Sequence, residues 1–141
     1  WRVSDGSTNH LLTADLMIND FPNSSVINND PKVIVGQVHG HQIKQALIKL
    51  QWEGSNKPIR AIINDTFLTN DQTCNSCNPF SLELGTVKAG VPWSYEIEVN
   101  QTGIRIKAAG TERSLGWGKS TSWNGQTYTL DPDWKSDANS F

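Results

Sequence analysis

Long apolar runs, strong charge of either sign and cysteine are all scarce in this 141-residue sequence. Its longest apolar runs fall far below the roughly 18 residues that a membrane-spanning helix needs, so no such helix is expected. The net charge is −2 with 18% charged residues, which gives no overall attraction to nucleic acid or to an anionic membrane. A local basic groove is still compatible with this balance, because net charge does not describe a single cleft.

The length is enough for one domain with a hydrophobic core and short for two. No signal peptide, internal repeat, low-complexity tract or linker is evident. The chain opens on WRVSDGSTNH, and we expect the natural start to lie upstream, so the missing signal carries no weight. We predict a single domain over residues 1–141.

Only two cysteines are present, Cys74 and Cys77, in the stretch TCNSCNPF. One C-x-x-C supplies two metal ligands, and the three histidines lack finger-like spacing, which argues against zinc. A redox motif would lie beside a βαβ unit, which the sequence lacks. We therefore favour a disulfide that closes a short loop, and with it an oxidising compartment. This predicts a secreted or periplasmic bacterial protein without a metal site.

Short alternating segments separated by turn residues indicate many β-strands. The clearest hairpin joins WSYEIEV to GIRIKAA through NQTG, with apolar side chains on one face and charged side chains on the other. No segment of ten or more residues shows a capped helical stripe. The pattern predicts an all-β fold, either an antiparallel β-sandwich or a jelly roll.

The stretch VIVGQVHG, predicted as a strand from Val33 to Gly40, is the most informative of these segments. A period of two places one set of side chains on one face and a second set on the other: Val33, Val35, Gln37 and His39 against Ile34, Gly36 and Val38. A strand inside a core would not normally carry an amide and an imidazole two residues apart. One face is therefore expected to serve a site, with a polar pair bridging two strands as the alternative.

The last segment, LGWGKSTSWNGQTYTLDPDWKSDANSF, has the composition of a loop. Three tryptophans, Trp117, Trp123 and Trp134, are too many large rings for an irregular end. Such rings either plug the end of a sandwich or stack on sugars, and we favour plugging because a tryptophan buries a large apolar area.

Gln37-Val38-His39 on an interior strand, followed by a strand that bears Lys49, resembles the Q-(I/V)-H motif of the β-jelly-roll alginate lyases, polysaccharide lyase families 7 and 18. LLTADLMI before the motif, QALIKLQWEG after it and the later hairpin follow the same order. The resemblance implies a concanavalin-like jelly roll with a concave groove. It also implies no cofactor and an anionic polysaccharide, alginate, as partner.

Two further motifs of that family are missing from the sequence. R-(S/T)-E-(L/V)-R normally precedes this region, and Y-F-K-A-G-x-Y normally follows a loop like DPDWKSDANSF. We therefore expect an internal fragment of the domain, truncated at both ends. Its partners would be the remaining segments of the same domain, and otherwise it would be a monomer.

The resemblance implies an endo-acting lyase that cleaves 4-linked mannuronate or guluronate by β-elimination. Gln37 would donate its neutral NH₂ to the carboxylate on which charge develops. His39 would either donate an N–H to that carboxylate or remove the C5 proton as general base. Lys49, and more weakly Arg60, would bind a flanking uronate; solvated surface charge is the alternative for both.

Two other functions compete with this one. A non-catalytic carbohydrate-binding module could use the same sandwich, with its tryptophans as stacking platforms. A glycoside hydrolase needs two carboxylates flanking the scissile bond. The sequence lacks the E-x-D-x-x-E arrangement, and Glu96 and Glu98 are predicted on an outer sheet face, so the hydrolase is the weakest of the three.

Overall fold

The computed structural model describes residues 9–21, 30–40, 43–68 and 72–136. Its strands are β1 Asn9–Leu16, β2 Val33–Val38, β3 Ile48–Trp52, β4 Arg60–Ile63, β5 Phe80–Glu83, β6 Trp93–Asn100, β7 Gly103–Ala108, β8 Thr111–Gly116, β9 Ser120–Trp123 and β10 Gln126–Thr129. The one helix in these ranges is a 3-10 turn, Pro132–Lys135. No described helix has the length and apolarity needed to cross a membrane. The all-β prediction is confirmed.

The strands form two four-stranded antiparallel sheets and a two-stranded ribbon. One sheet has the order β2-β3-β4-β5; we call it the groove sheet, because a depression described below lies on its outer face. The opposite sheet has the order β1-β6-β7-β8. The ribbon is β9 with β10. Strand β2 lies at an edge of the groove sheet and pairs only with β3 within the described ranges.

The core lies between the inner faces of the two sheets, as strict alternation along the strands requires. In β3, Ile48, Leu50 and Trp52 are buried while Lys49 is exposed. The opposite sheet buries one face in the same way, at Trp93, Tyr95, Ile97, Val99, Ile104, Ile106 and Ala108. The predicted apolar face of the β6–β7 hairpin is confirmed as the inward face, and β3 alternates in the same way.

Charged side chains cover the outer face of the opposite sheet. Arg105 on β7 bonds Glu96, Glu98 and Glu112 on the two neighbouring strands. The side-chain hydrogen bond from Arg105 lowers the pKa of Glu98 below its ordinary value. This is the solvated ion-pair face that the alternating charges predicted.

Arg105→Gln should lower the free energy of unfolding at neutral pH by about 1 kcal/mol, the scale of a partly exposed ion-pair network. Because the pKa of Glu98 is lowered on folding, its contribution is present above the ordinary carboxyl pKa and is lost as pH falls through the folded value. The difference between wild type and variant should therefore shrink on acidification, measured by urea unfolding at several pH values. Arg113→Gln is the control, since Arg113 is exposed on β8 and, among the described residues, donates to a backbone oxygen without an ion pair. An Arg105 effect that is constant with pH would contradict this account.

The C-terminal segment holds more regular structure than its composition indicated. The expected loop contains the end of β8 and the β9–β10 ribbon, with Gly118 and Gly125 at positive φ in the turns that separate these strands. Trp117 and Trp134 are buried, as the plugging interpretation predicted, whereas Trp123 is only partly buried against the core.

The pairing of β2 with β3 contains a β-bulge that breaks the predicted alternation. The paired residues are Val33–Trp52, Ile34–Gln51, Gly36–Leu50, Gln37–Lys49 and Val38–Ile48. Val35 is the extra residue. The residues after it therefore face the side opposite to the one that unbroken alternation from Val33 would give them. The prediction that Val33 and Gln37 share a face is wrong: Val33 lies opposite buried Trp52, and Gln37 lies opposite exposed Lys49. The strand also ends at Val38 rather than Gly40.

Candidate functional site

Gln37 and His39 lie together at the end of β2, one on each side of Val38. Both side chains are exposed, and both residues line a cleft of about 470 Å³ at the edges of β1 and β2. The rest of the lining is Asn9, His10, Leu11, Leu12, Val38, Ile97 and Val99. The two candidate side chains therefore point away from the core, and Gln37 keeps an outward position because the bulge takes up the extra residue.

A hydrogen bond to the neighbouring backbone selects the tautomer of the neutral His39 ring. Nδ1 lies 2.8 Å from the carbonyl oxygen of Gly40. A carbonyl only accepts, so Nδ1 carries the proton and donates it. In the neutral ring Nε2 is then the unprotonated nitrogen, with a lone pair that can accept a proton. Of the two roles that the sequence left open for His39, this geometry favours the base.

Lys49 lies directly across from Gln37 in the β2–β3 register and shares its outward face. It lines a second depression of about 430 Å³ over the groove sheet, here called the groove. The groove is lined by Ile34, Gln45, Ala46, Lys49, Gln51, Ile62, Asn64, Cys77 and Pro79. Lys49 is exposed and makes no ion pair within the described ranges. Its charge is thus placed to attract an anion lying along this face.

Arg60 is held by other groups. Its Nε donates to Glu53 Oε1 at 2.6 Å, and a second nitrogen makes an ion pair with the same carboxylate. A third nitrogen donates to the Ser81 hydroxyl at 3.1 Å. In the β3–β4 register Arg60 lies opposite Gln51 rather than beside Gln37 and Lys49. Arg60 therefore shares the outward face of the groove sheet with Gln51 and Lys49, one residue pair further from Gln37. It is engaged with Glu53 and Ser81, and its part in binding a uronate stays a prediction.

A loop between β4 and β5 forms one wall of the groove. Asn64 donates from its side-chain nitrogen to Gln45 Oε1 at 2.8 Å, which ties this loop to the segment before β3. Cys74 and Cys77 are joined by a disulfide in the same loop, as predicted, and Cys77 lines the groove. The disulfide therefore restrains a wall of the groove.

Replacing both cysteines by serine should lower the free energy of unfolding by about 2 kcal/mol, the chain-entropy value for so short a closed loop. Chemical denaturation of the oxidised wild type and of the Cys74→Ser/Cys77→Ser variant measures the difference. Ser76→Ala is the control, because it changes the same exposed loop without opening it. Equal stability of wild type and double variant would contradict the prediction.

Some residues that line these depressions were not predicted. His10 lines the cleft with His39. Gln45 and Asn64 enter the groove from two separate loops. In the sequence, only the polarity of these two side chains could have indicated a place in the groove, because contacts between distant segments produce no periodic pattern along the chain. Among the described residues, no group of three or more His, Cys, Asp or Glu side chains could hold a metal ion.

Comparison with protein families shows the family of the chain. The model of the alginate lyase family matches residues 1–141. The chain belongs to the alginate lyase family. Its Gln37-Val38-His39 segment therefore lies in the family's own sequence context, in agreement with the resemblance noted above. Comparison with curated protein sequences gave no match.

Solved alginate lyases share the fold. Alginate lyase PA1167 from Pseudomonas aeruginosa superposes with a TM-score of 0.60 at 21% identity, over 94% of this chain and 51% of that one. Alginate lyase A1-II′, a member of polysaccharide lyase family 7, gives 0.59 at 19% identity over 94% and 56%. A variant of A1-II′ in complex with product gives 0.54 at 18% identity over 94% and 57%. The jelly-roll prediction is confirmed, and the chain spans little more than half the length of these relatives.

Proposed function

We propose that this protein cleaves alginate by β-elimination and acts within the polymer. One observation carries the proposal. In a chain of the alginate lyase family, Gln37 is exposed on the outward side of β2 opposite Lys49, and His39 is exposed just after the strand ends. An amide donor and a cation on adjacent strands, with a proton acceptor just past the end of β2, are the groups that cleavage of a uronate requires.

The chemistry begins at C5 of the uronate, where an adjacent carboxylate makes the proton barely acidic. Gln37 would donate its NH₂ to that carboxylate and stabilise the charge that develops as the proton leaves. Nε2 of His39 would accept the C5 proton, because Nδ1 is engaged with Gly40. The C5–H electron pair then forms the C4–C5 double bond, and the C4–O bond breaks with its pair going to the leaving oxygen.

Protonation of the leaving oxygen is the step that these residues do not supply. The chain has two tyrosines, and both are occupied elsewhere. Tyr95 donates to the Val35 carbonyl across the core. Tyr128 donates to Gln126 and stacks on Phe80 of β5, at the far edge of the groove sheet from His39. We assign this proton to water or to a group outside the described residues.

The disulfide and the groove agree with a protein that meets a polysaccharide outside the cytoplasm. Disulfides such as Cys74–Cys77 persist in oxidising compartments. Lys49 supplies positive charge on the groove in a chain of net charge −2. We therefore propose a secreted or periplasmic protein that binds the polymer along the groove sheet.

The deciding experiment incubates the protein with alginate and follows the absorbance of the unsaturated product together with the number of new reducing ends. Lyase action raises both, hydrolysis raises reducing ends alone, and a binding module raises neither while retaining the polymer. Carboxyl-reduced alginate is the matched substrate control, since without the carboxylate the C5 proton has no group to stabilise its loss. Chain-length analysis of early products shows internal cleavage as mid-sized fragments. Absence of the unsaturated product would overturn the proposal.

Lys49→Met should raise KM for alginate about fivefold, because one exposed charge pair with a polyanion is worth about 1 kcal/mol. The effect should fade in high salt, where exposed charges are screened. Lys107→Met is the control, since Lys107 is also exposed but lies on the opposite sheet. Steady-state kinetics at two salt concentrations gives the comparison. Equal KM changes in the two variants would contradict a role for Lys49 in binding.

A further inference from the structure

A hydrogen bond joins the opposite sheet to the bulge in β2. The hydroxyl of Tyr95, on β6, donates to the backbone carbonyl of Val35 at 2.9 Å. Val35 is the extra residue of the bulge. Tyr95 is buried, with 5% of its surface exposed, so the bond lies inside the sandwich, where an unmade hydrogen bond is costly. The bond therefore spans the core and ends two residues before Gln37.

The residues around Tyr95 are small, which leaves space for its ring to extend across the core to Val35. Its register neighbours are Ala14 on β1 and Ala108 on β7, two small side chains that leave space beside the ring. On the facing sheet it meets Gly36. A Cβ at Gly36 would lie 2.7 Å from the Tyr95 hydroxyl oxygen and 2.9 Å from the ring carbon that bears it. A large residue thus stands between two alanines and against a glycine.

The bulge decides which way the next residues point. Without it, regular pairing from Ile34 onward would place Gln37 opposite buried Ile48 instead of exposed Lys49. A bulge disrupts the ladder locally and leaves backbone groups without strand partners. The Tyr95 hydroxyl satisfies one of these groups, at Val35.

We propose that Tyr95 is a positioning residue for Gln37 and His39. Its hydrogen bond to the Val35 carbonyl stabilises the backbone conformation of the bulge, and this conformation sets the direction in which both side chains point. The inference rests on the proposed function for its consequence in catalysis, while the structural part stands by itself. Burial raises the pKa of Tyr95, so the hydroxyl stays protonated and keeps donating at neutral and mildly alkaline pH.

The test compares Tyr95→Phe with wild type. The phenyl ring keeps the packing and removes only the donor. We expect kcat on alginate to fall about tenfold, because small misplacements of reacting groups are costly, with KM within about twofold because Lys49 is not displaced. In nuclear magnetic resonance spectra, the amide signals of residues 34–39 and the imidazole signals of His39 should shift.

Tyr128→Phe is the matched control. It also removes a hydroxyl that donates one hydrogen bond, but at the ribbon, away from β2. We expect unchanged kinetics and unchanged signals from residues 34–39. Gly36→Ala, which pushes a methyl group against the Tyr95 hydroxyl, should reproduce both the fall in kcat and the signal shifts.

Each outcome decides the inference. Unshifted signals of residues 34–39 in Tyr95→Phe overturn it, and so does a kcat loss no greater than the lost folded fraction. If the wild type does not cleave alginate, the proposed function fails, and the resonance comparison alone then supports or rejects the positioning of Gln37 and His39. Shifted signals with a wild-type kcat overturn the catalytic consequence of that positioning.

Discussion

Gln37→Ala should lower kcat on alginate by about a hundredfold to a thousandfold, the usual cost of losing one hydrogen-bond donor to a developing negative charge. The side chain is exposed at the cleft, so alanine leaves no cavity in the core and the free energy of unfolding should hardly change. KM should change little, because the interaction strengthens only as charge develops on the carboxylate. Steady-state kinetics with circular dichroism of the folded state measures both quantities.

His39→Asn belongs to the same prediction. Asparagine keeps polarity but cannot accept a proton at neutral pH, so kcat should fall by about a thousandfold, within the range for loss of a general base. Because the two residues act on one transition state, the double variant should lose much less than the product of the single losses. Gln101→Ala is the control: Gln101 is exposed in the β6–β7 turn, on the other sheet. If Gln37→Ala were as active as Gln101→Ala, Gln37 would have no role in catalysis.

Trp134→Ala should lower the free energy of unfolding by about 3–5 kcal/mol, the cost of emptying a buried aromatic site. Trp134 has no exposed surface, and its ring packs edge-on against Phe67 at 5.3 Å. The segment is also held by Asp131, whose carboxylate accepts from the backbone nitrogens of Phe67 and Asp133. Since domains of this size are stable by about 5–15 kcal/mol, the variant should unfold at far lower denaturant concentration.

Trp123→Ala separates plugging from sugar stacking. Trp123 is only partly buried, on the β9–β10 ribbon, so its loss should cost less than half as much stability. Chemical denaturation gives the two free energies, and retention on immobilised alginate gives binding. A Trp134→Ala protein as stable as wild type but unable to bind alginate would show that this ring stacks on sugar instead of plugging the sandwich.

The strands were predictable wherever one face is buried without interruption. In β3 and in the β6–β7 hairpin the period of two is unbroken, so the inward residues followed directly from the sequence. In β2 the bulge resets the period at Val35. Gly36, beside Val35, is the local signal, since a glycine inside a strand is typical of a bulge or of a close approach. The exact position of the bulge still depends on which β3 residue pairs with each side of it. The ribbon was missed for a related reason: the exposed Ser, Thr and Gln side chains of β9 and β10 give no clear apolar alternation.

The candidate site was predictable only in part. Gln37 and His39 came from a short motif in a recognised order of strands, and Lys49 from its place on the polar face of the next strand. The disulfide followed from spacing. The contacts of Arg60 could not be foreseen, because its partners Glu53 and Ser81 lie on neighbouring parts of the folded sheet. His10 and Asn64 likewise reach their depressions through tertiary packing, which a linear pattern does not record.

The bulge also has a consequence for how this strand is aligned with other sequences. β2 uses six residues, Val33–Val38, against the five of β3, Ile48–Trp52. A relative with a regular strand here would carry one residue fewer, and the gap belongs at Val35. An alignment that places the gap after Gln37 instead would equate that glutamine with a core position. The length of the segment, as much as its chemistry, keeps Gln37 and His39 facing outward.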